Sequence, residues 1–313
     1  MAFLPTYRAA WFHRYDDEQI IPQFSCCDYP GMAERPFACE ARPGVTARGH
    51  FYRMADVPAR PELVLFLHGL GGDHRTYMPE IACLCGAGYE VLAVDNPGCG
   101  ESDGEGVRCL SEAIATGDKC LEEIARTEKR PIIIIGHSWG AFAAGVLAAM
   151  HPELRKALLL APFDSAVDFA ESFFPQHDGA AEGAIALESE FYPEYATAKL
   201  SEMLAGATVP TMVAASLDDP MIPIMRGLVK IQKALDNPAV TYLRLQGRGH
   251  TPTYTEEAVT LSAQFTADFA HKVASGILET LEEKQAYAAQ FNFEALMAQD
   301  EKVWEKLLAF LEK

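Results

Sequence analysis

The stretch Ile132-Ile133-Ile134-Ile135-Gly136-His137-Ser138-Trp139-Gly140-Ala141 decides the reading of this chain. Four consecutive β-branched residues make a run too short for a helix and suited to a strand buried on both faces. Gly136 opens a turn, and the alanine-rich run from Ala141 to Met150 favours a helix. Strand, sharp turn and helix therefore follow in order, with Ser138 at the apex. The turn matches Gly-x-Ser-x-Gly, the nucleophile elbow, in which the serine is held in a strained conformation and the glycines let neighbouring backbone pass close by.

Working outward, short apolar runs alternate with helical stretches from Leu63 onward, which predicts a mostly parallel sheet with helices on both faces. The runs are Leu63 to Leu67, Val91 to Val94, Ile132 to Ile135, Ala157 to Ala161, Thr211 to Ala215 and Val240 to Leu245. Helices are expected near Tyr77 to Ala87, Leu110 to Thr127, Ala141 to Met150 and Met225 to Leu235. Upstream, Phe37 to Ala41 and Ala47 to Arg53 flank Pro43-Gly44 and read as an antiparallel hairpin able to edge the sheet. It belongs to a proline-rich wrapping segment, residues 1–60.

Open parallel sheets bind ligands beyond the carboxyl ends of their strands, so the residues after each run are the candidates. After Leu67 comes His68-Gly69-Leu70-Gly71-Gly72, a loop whose backbone N–H groups can turn inward. After Val94 comes Asp95-Asn96-Pro97-Gly98-Cys99-Gly100-Glu101-Ser102, a structural turn with Asp95 and Ser102 expected to bond loop backbone. After Ala215 come Asp218 and Asp219, and after Leu245 comes His250 on a glycine loop. Serine, aspartate and histidine, each on a post-strand loop and in that order, form the pattern of a nucleophile, an orienting acid and a base.

These pieces together resemble the α/β-hydrolase fold superfamily, and within it the monoglyceride lipase, lysophospholipase and serine aminopeptidase-like group. The matching residues are His68-Gly69, Asp95-x-x-Gly98-x-Gly100-x-Ser102, Gly136-His137-Ser138-Trp139-Gly140, Asp219-Pro220-x-Ile222-Pro223 and Gly249-His250. The resemblance implies Ser138 as nucleophile, His250 as base and Asp219 as acid, with Asp218 the alternative because Ser216 stands where the group usually has glycine. It also implies an oxyanion hole from the backbone N–H groups of Leu70 and Trp139. His68 and His137 would shape loops, and the ring of Trp139 is a candidate pocket wall. No metal or organic cofactor is expected.

The resemblance further divides the chain into a core of residues 1–162 and 209–313 and a lid insert of residues 163–208. That insert carries Phe163, Phe169, Phe173 and Phe174, which either cover a hydrophobic substrate or pack the insert onto the sheet. Residues 254–297 are an extra segment, expected as two acidic helices and a possible homodimer surface. The spacing of Val303, Trp304, Leu307, Leu308 and Leu311 predicts a closing helix.

Composition narrows the partners. A formal charge of −18 argues against nucleic acid or an anionic membrane, both of which require basic surface. No apolar run is long enough to span a bilayer, and the charged residues from His13 to Glu18 interrupt any export signal, so a cytoplasmic location is expected. The eight cysteines lack zinc-ligand spacing and read as reduced thiols. The expected activity is cleavage of a small to medium acyl ester. Acyl transfer or amide cleavage on the same triad is the enzymatic alternative, and a binding protein with an idle triad the non-enzymatic one.

Overall fold

The computed structural model describes residues 3–15, 24–234 and 236–313. Pro22, the charged run from Asp16 to Glu18 and Leu235 lie outside the described residues. Eight strands form one sheet: β1 (Met32–Arg42), β2 (Val45–Met54), β3 (Leu63–Leu67), β4 (Glu90–Val94), β5 (Ile132–His137), β6 (Lys156–Leu160), β7 (Thr211–Ser216) and β8 (Val240–Leu245). Their order is β1-β2-β4-β3-β5-β6-β7-β8. Strands β3 to β8 pair in parallel, and β1 and β2 form an antiparallel hairpin joined to β4. The hairpin is longer than its sequence signal, because Met54 at the far end of β2 gives Met32 a partner five residues before Phe37.

β5 shows why its isoleucines are uninterrupted. Ile134 packs on one face with Leu63, Leu65 and Leu67 of β3, while Ile133 and Ile135 pack on the other with Val64 and Phe66. Every side chain of a strand covered on both faces is removed from water, each worth roughly 1.5–3 kcal/mol. The first face is covered by α1 (Phe3–Trp11), α3 (Glu112–Thr127) and α4 (Trp139–Met150), together with part of the segment between β6 and β7. The second is covered by α2 (Met78–Gly86) and α12 (Glu301–Glu312), which buries Val303, Trp304, Leu307 and Leu311.

Between β6 and β7 the chain forms α5 (Ala166–Phe173), α6 (Ala180–Phe191) and α7 (Leu200–Met203); α8 (Leu228–Ala234) precedes β8. After β8, the expected pair of helices is α9 (Glu256–Ala274) and α10 (Leu281–Ala288), followed by a single-turn α11 (Phe293–Leu296). The third helix exists because this piece has its own small core: Phe265 packs against Tyr287, Phe291 and Phe293. The acidic residues of α10 face outward, as its mostly exposed positions show.

Candidate active site

The elbow is a strained point of the backbone. Ser138 sits at φ 52° and ψ −112°, a conformation L-residues avoid, at the junction of β5 and α4. The two glycines are required by contact. A Cβ on Gly136 would lie 2.1 Å from the carbonyl oxygen of Gly140, and one on Gly140 would lie 2.0 Å from that of Leu67. Leu67 ends β3, so the second glycine is what lets the elbow press against the neighbouring loop.

His250 and Asp219 meet at the mouth of the same sheet, with His250 Nδ1 2.7 Å from Asp219 Oδ2. The other carboxylate oxygen of Asp219 accepts from the backbone N–H groups of Met221 at 2.8 Å and Ile222 at 3.0 Å. A carboxylate on Nδ1 keeps the proton there, so Nε2 presents its lone pair. Asp218 is engaged elsewhere: it accepts from the Ser216 hydroxyl and from Gly247 N–H at 3.1 Å, tying the end of β7 to the loop after β8. Its pKa is lowered, first by the Ser216 hydrogen bond. Ser216 also accepts from Arg248 N–H at 3.1 Å, so the departure from glycine is used structurally.

Ser138 and His250 line one partly open cavity of about 110 Å³ with Trp11, Gly69, Leu70, Tyr77, His137, Phe169, Phe173, Met221 and Ile222. No hydrogen bond joins the Ser138 hydroxyl to His250; unliganded sites commonly show such bonds long or unformed. Beside the serine, Gly69 N–H donates to Tyr77 Oη at 3.0 Å and Gly72 N–H to the Gly69 carbonyl at 3.1 Å. Leu70, between them, has no hydrogen-bond acceptor for its N–H among the described residues. Trp139 N–H begins α4, where the first-turn donors have no intrahelical partner.

The structure departs from the sequence expectations at several side chains. The ring of Trp139 is not a pocket wall: it is fully buried, donates to the Leu110 carbonyl at 2.6 Å and meets His68 edge-on. Phe163 stacks on Phe142 in the core and Phe174 packs edge-on against Phe3 and Tyr7, so neither lines the cavity, whereas Phe169 and Phe173 do. Asp95 bonds Glu101 N–H as expected, but it also takes the backbone N–H and ring of His74. Burial opposes both charges there, yet the pairing lowers the pKa of Asp95 and raises that of His74.

Sequence reasoning missed Trp11, Tyr77 and Met221. Trp11 comes from the wrapping segment and reaches the site only because α1 packs on the core and its ring lies against Phe169 and Phe173. No periodicity announces such a contact.

Among the described residues, His50, His74 and Glu101 bring side-chain ligand atoms within 4.8 Å of one another, and none of the three lines the cavity at Ser138. The cysteines are free thiols, with Cys39 and Cys120 Sγ atoms 3.6 Å apart. No described helix is long and apolar enough to cross a membrane.

Known proteins resemble this chain at two levels. Epoxide hydrolase B of Mycobacterium tuberculosis is 30% identical over 107 residues, 33% of this chain and 29% of that enzyme, so only a fraction of the relative is matched. An esterase of Pyrococcus furiosus superposes with a TM-score of 0.58 at 15% identity, covering 82% of this chain and 96% of the esterase. Est1E of Butyrivibrio proteoclasticus, solved with ferulic acid, gives 0.53 at 18% identity over 74% of this chain and 98% of its own. At such identities the structural likeness is one of fold. The model of the Alpha/beta hydrolase family matches residues 64–263, the stretch that holds β3 to β8, the elbow and the loops after β7 and β8, and the chain therefore belongs to that family.

Proposed function

We propose that this hydrolase is a serine enzyme that cleaves carboxylic esters with a short acyl group. The observation that carries the reading is the 2.7 Å contact of His250 with Asp219 on the wall of the cavity into which the Ser138 elbow opens. In this mechanism His250 Nε2 takes the hydroxyl proton as Ser138 Oγ bonds to the ester carbon. The carbonyl electrons move to oxygen, facing the N–H groups of Leu70 and Trp139. Collapse expels the alcohol, which receives the proton from His250, and leaves an acyl-serine. Water, deprotonated by His250, then releases the acid and restores the serine.

Chemistry separates this reading from that of the epoxide hydrolase relative. A serine opening an epoxide would leave an ether on Oγ, which water and an imidazole do not cleave, whereas an acyl-serine turns over. Size narrows the substrate. About 110 Å³ is well under the roughly 300–1,000 Å³ of pockets for drug-sized ligands. A long monoacylglycerol chain exceeds this volume, so the small cavity supports a general esterase over the monoglyceride lipase or lysophospholipase subgroup. Acyl transfer and amide cleavage share the acyl-serine and differ only in acceptor or leaving group.

The test is hydrolysis of p-nitrophenyl esters of graded chain length by the purified chain, beside fluorophosphonate labelling. Acetate to butyrate should be turned over and label should map to Ser138. Absence of both would leave a binding protein with an idle triad.

A further inference from the structure

Three hydrogen bonds connect the loops that carry the proposed machinery, through two side chains with no role in the mechanism above. Gly69 N–H lies 3.0 Å from Tyr77 Oη, Tyr77 Oη lies 2.7 Å from His137 Nδ1, and His137 Nε2 lies 2.7 Å from the carbonyl oxygen of His250. The position of every proton follows. A carbonyl only accepts, so His137 Nε2 must carry hydrogen. A neutral imidazole then has a bare Nδ1, to which Tyr77 donates, leaving Tyr77 Oη to accept from Gly69. Neither nitrogen of His137 is free, which removes it as a second base.

The neutral form is also electrostatically enforced. Burial first, and the neighbouring His250 second, hold the His137 pKa down at about 3. The ring therefore keeps one tautomer while the mechanism protonates and deprotonates His250, whose own ring lies 5.0 Å away, centroid to centroid. The other groups facing it are Tyr77, whose ionisation burial suppresses, and Asp219, which weakly favours a charged ring.

We propose that Tyr77 and His137 are positioning residues that lock the Gly69-Leu70 oxyanion loop to the His250 loop. They would set the separation between the N–H group that receives the oxyanion and the imidazole that moves the proton. The inference rests on the serine-esterase reading. Its signature lies in the transition state: a loop displaced by a fraction of an ångström leaves ester binding intact and misaligns one oxyanion donor.

The test compares the intact chain with Tyr77→Phe, His137→Gln and His137→Leu on p-nitrophenyl acetate, with thermal melts alongside. Tyr77→Phe should lower kcat roughly 10- to 100-fold with KM changed less than about threefold, less than the roughly 100- to 1,000-fold for outright loss of one oxyanion donor because the donor is misaligned and not removed. His137→Gln, which can keep an N–H toward the His250 carbonyl, should retain at least about tenfold more kcat than His137→Leu. Independently of turnover, ring-15N histidine spectra of the whole chain should show one histidine fixed as the Nε2–H tautomer from pH 5 to 9 and missing in His137→Gln. A folded Tyr77→Phe with unchanged kcat, equal Gln and Leu variants, or titration of that histidine near neutrality would each overturn the proposal. An intact chain that neither labels nor hydrolyses, with that histidine signal present, would instead overturn the esterase reading. Should Tyr77→Phe fail to fold, the two His137 variants and the spectra still decide.

Discussion

Two cavities of about 110 Å³ share Tyr77 and His137 in their linings, and they treat a buried carboxyl in opposite ways. In the one that holds Ser138, Asp219 is given an imidazole and two backbone N–H groups. In the other, lined also by Thr76, Leu160, Thr251, Thr253 and Tyr254, Glu80 has the Thr253 hydroxyl at 3.2 Å and no ion pair among the described residues. Burial pushes its pKa up to about 8, so at neutral pH it is kept as an acid. Burying a carboxyl in its charged form is costly unless donors or an opposite charge offset the desolvation, and at Glu80 the hydrogen bonds do not offset it.

The largest effect that would break this contrast is at Ser138. Ser138→Ala should reduce ester turnover by about 10⁴-fold or more and leave the melting temperature nearly unchanged, since the side chain makes no hydrogen bond among the described residues. Retained turnover in a clean preparation would assign the chemistry elsewhere. Next, Asp219→Asn should cost about 10³- to 10⁴-fold in kcat by presenting a donor to His250 Nδ1 and disturbing its tautomer. Asp218→Asn should cost less than about tenfold, its loss falling on the loop it ties to β7. A reversed ranking would make Asp218 the acid.

Phe173→Ala should sharpen the size argument. Removing a ring that lines the first cavity should raise kcat/KM for hexanoate relative to acetate by roughly tenfold, the value of one or two buried methylenes. The smallest effect on activity is expected at Glu80. Its folded pKa lies above the usual carboxyl value, so the folded state holds a proton the unfolded chain gives up, and stability falls as pH rises from about 4.5 through about 8. Glu80→Gln should match the parent at pH 5, melt roughly 5–8 °C above it at pH 9, and hydrolyse acetate at the parent rate. Equal melting at both pH values would show that Glu80 is solvated and ionised.

The strands were readable because a buried parallel strand writes itself as an apolar run, and each expected run from β3 to β8 lies within two residues of a strand. The positions of Ser138, Asp218, Asp219 and His250 were readable because the fold places ligand chemistry on post-strand loops. The choice of Asp219 over Asp218 came from the resemblance and not from the residues themselves, since adjacent residues differ only in direction, and direction is set by Ser216, Gly247 and the turn at Met221 and Ile222. The lining was half readable: four phenylalanines looked alike in sequence, and packing buried Phe163 in the core, set Phe174 half-buried against Phe3 and Tyr7, and left Phe169 and Phe173 on the cavity.

By itself, the sequence determined the alternating architecture, the elbow and the loops from which polar groups could converge, because hydrophobic period and glycine sterics are local. Only the tertiary structure decided that α1 brings Trp11 to the serine, that Tyr77 and His137 join two loops, and that Glu80 is sealed away from water. Those outcomes depend on which distant surfaces meet, and burial and hydrogen-bond partnership arise only when they do.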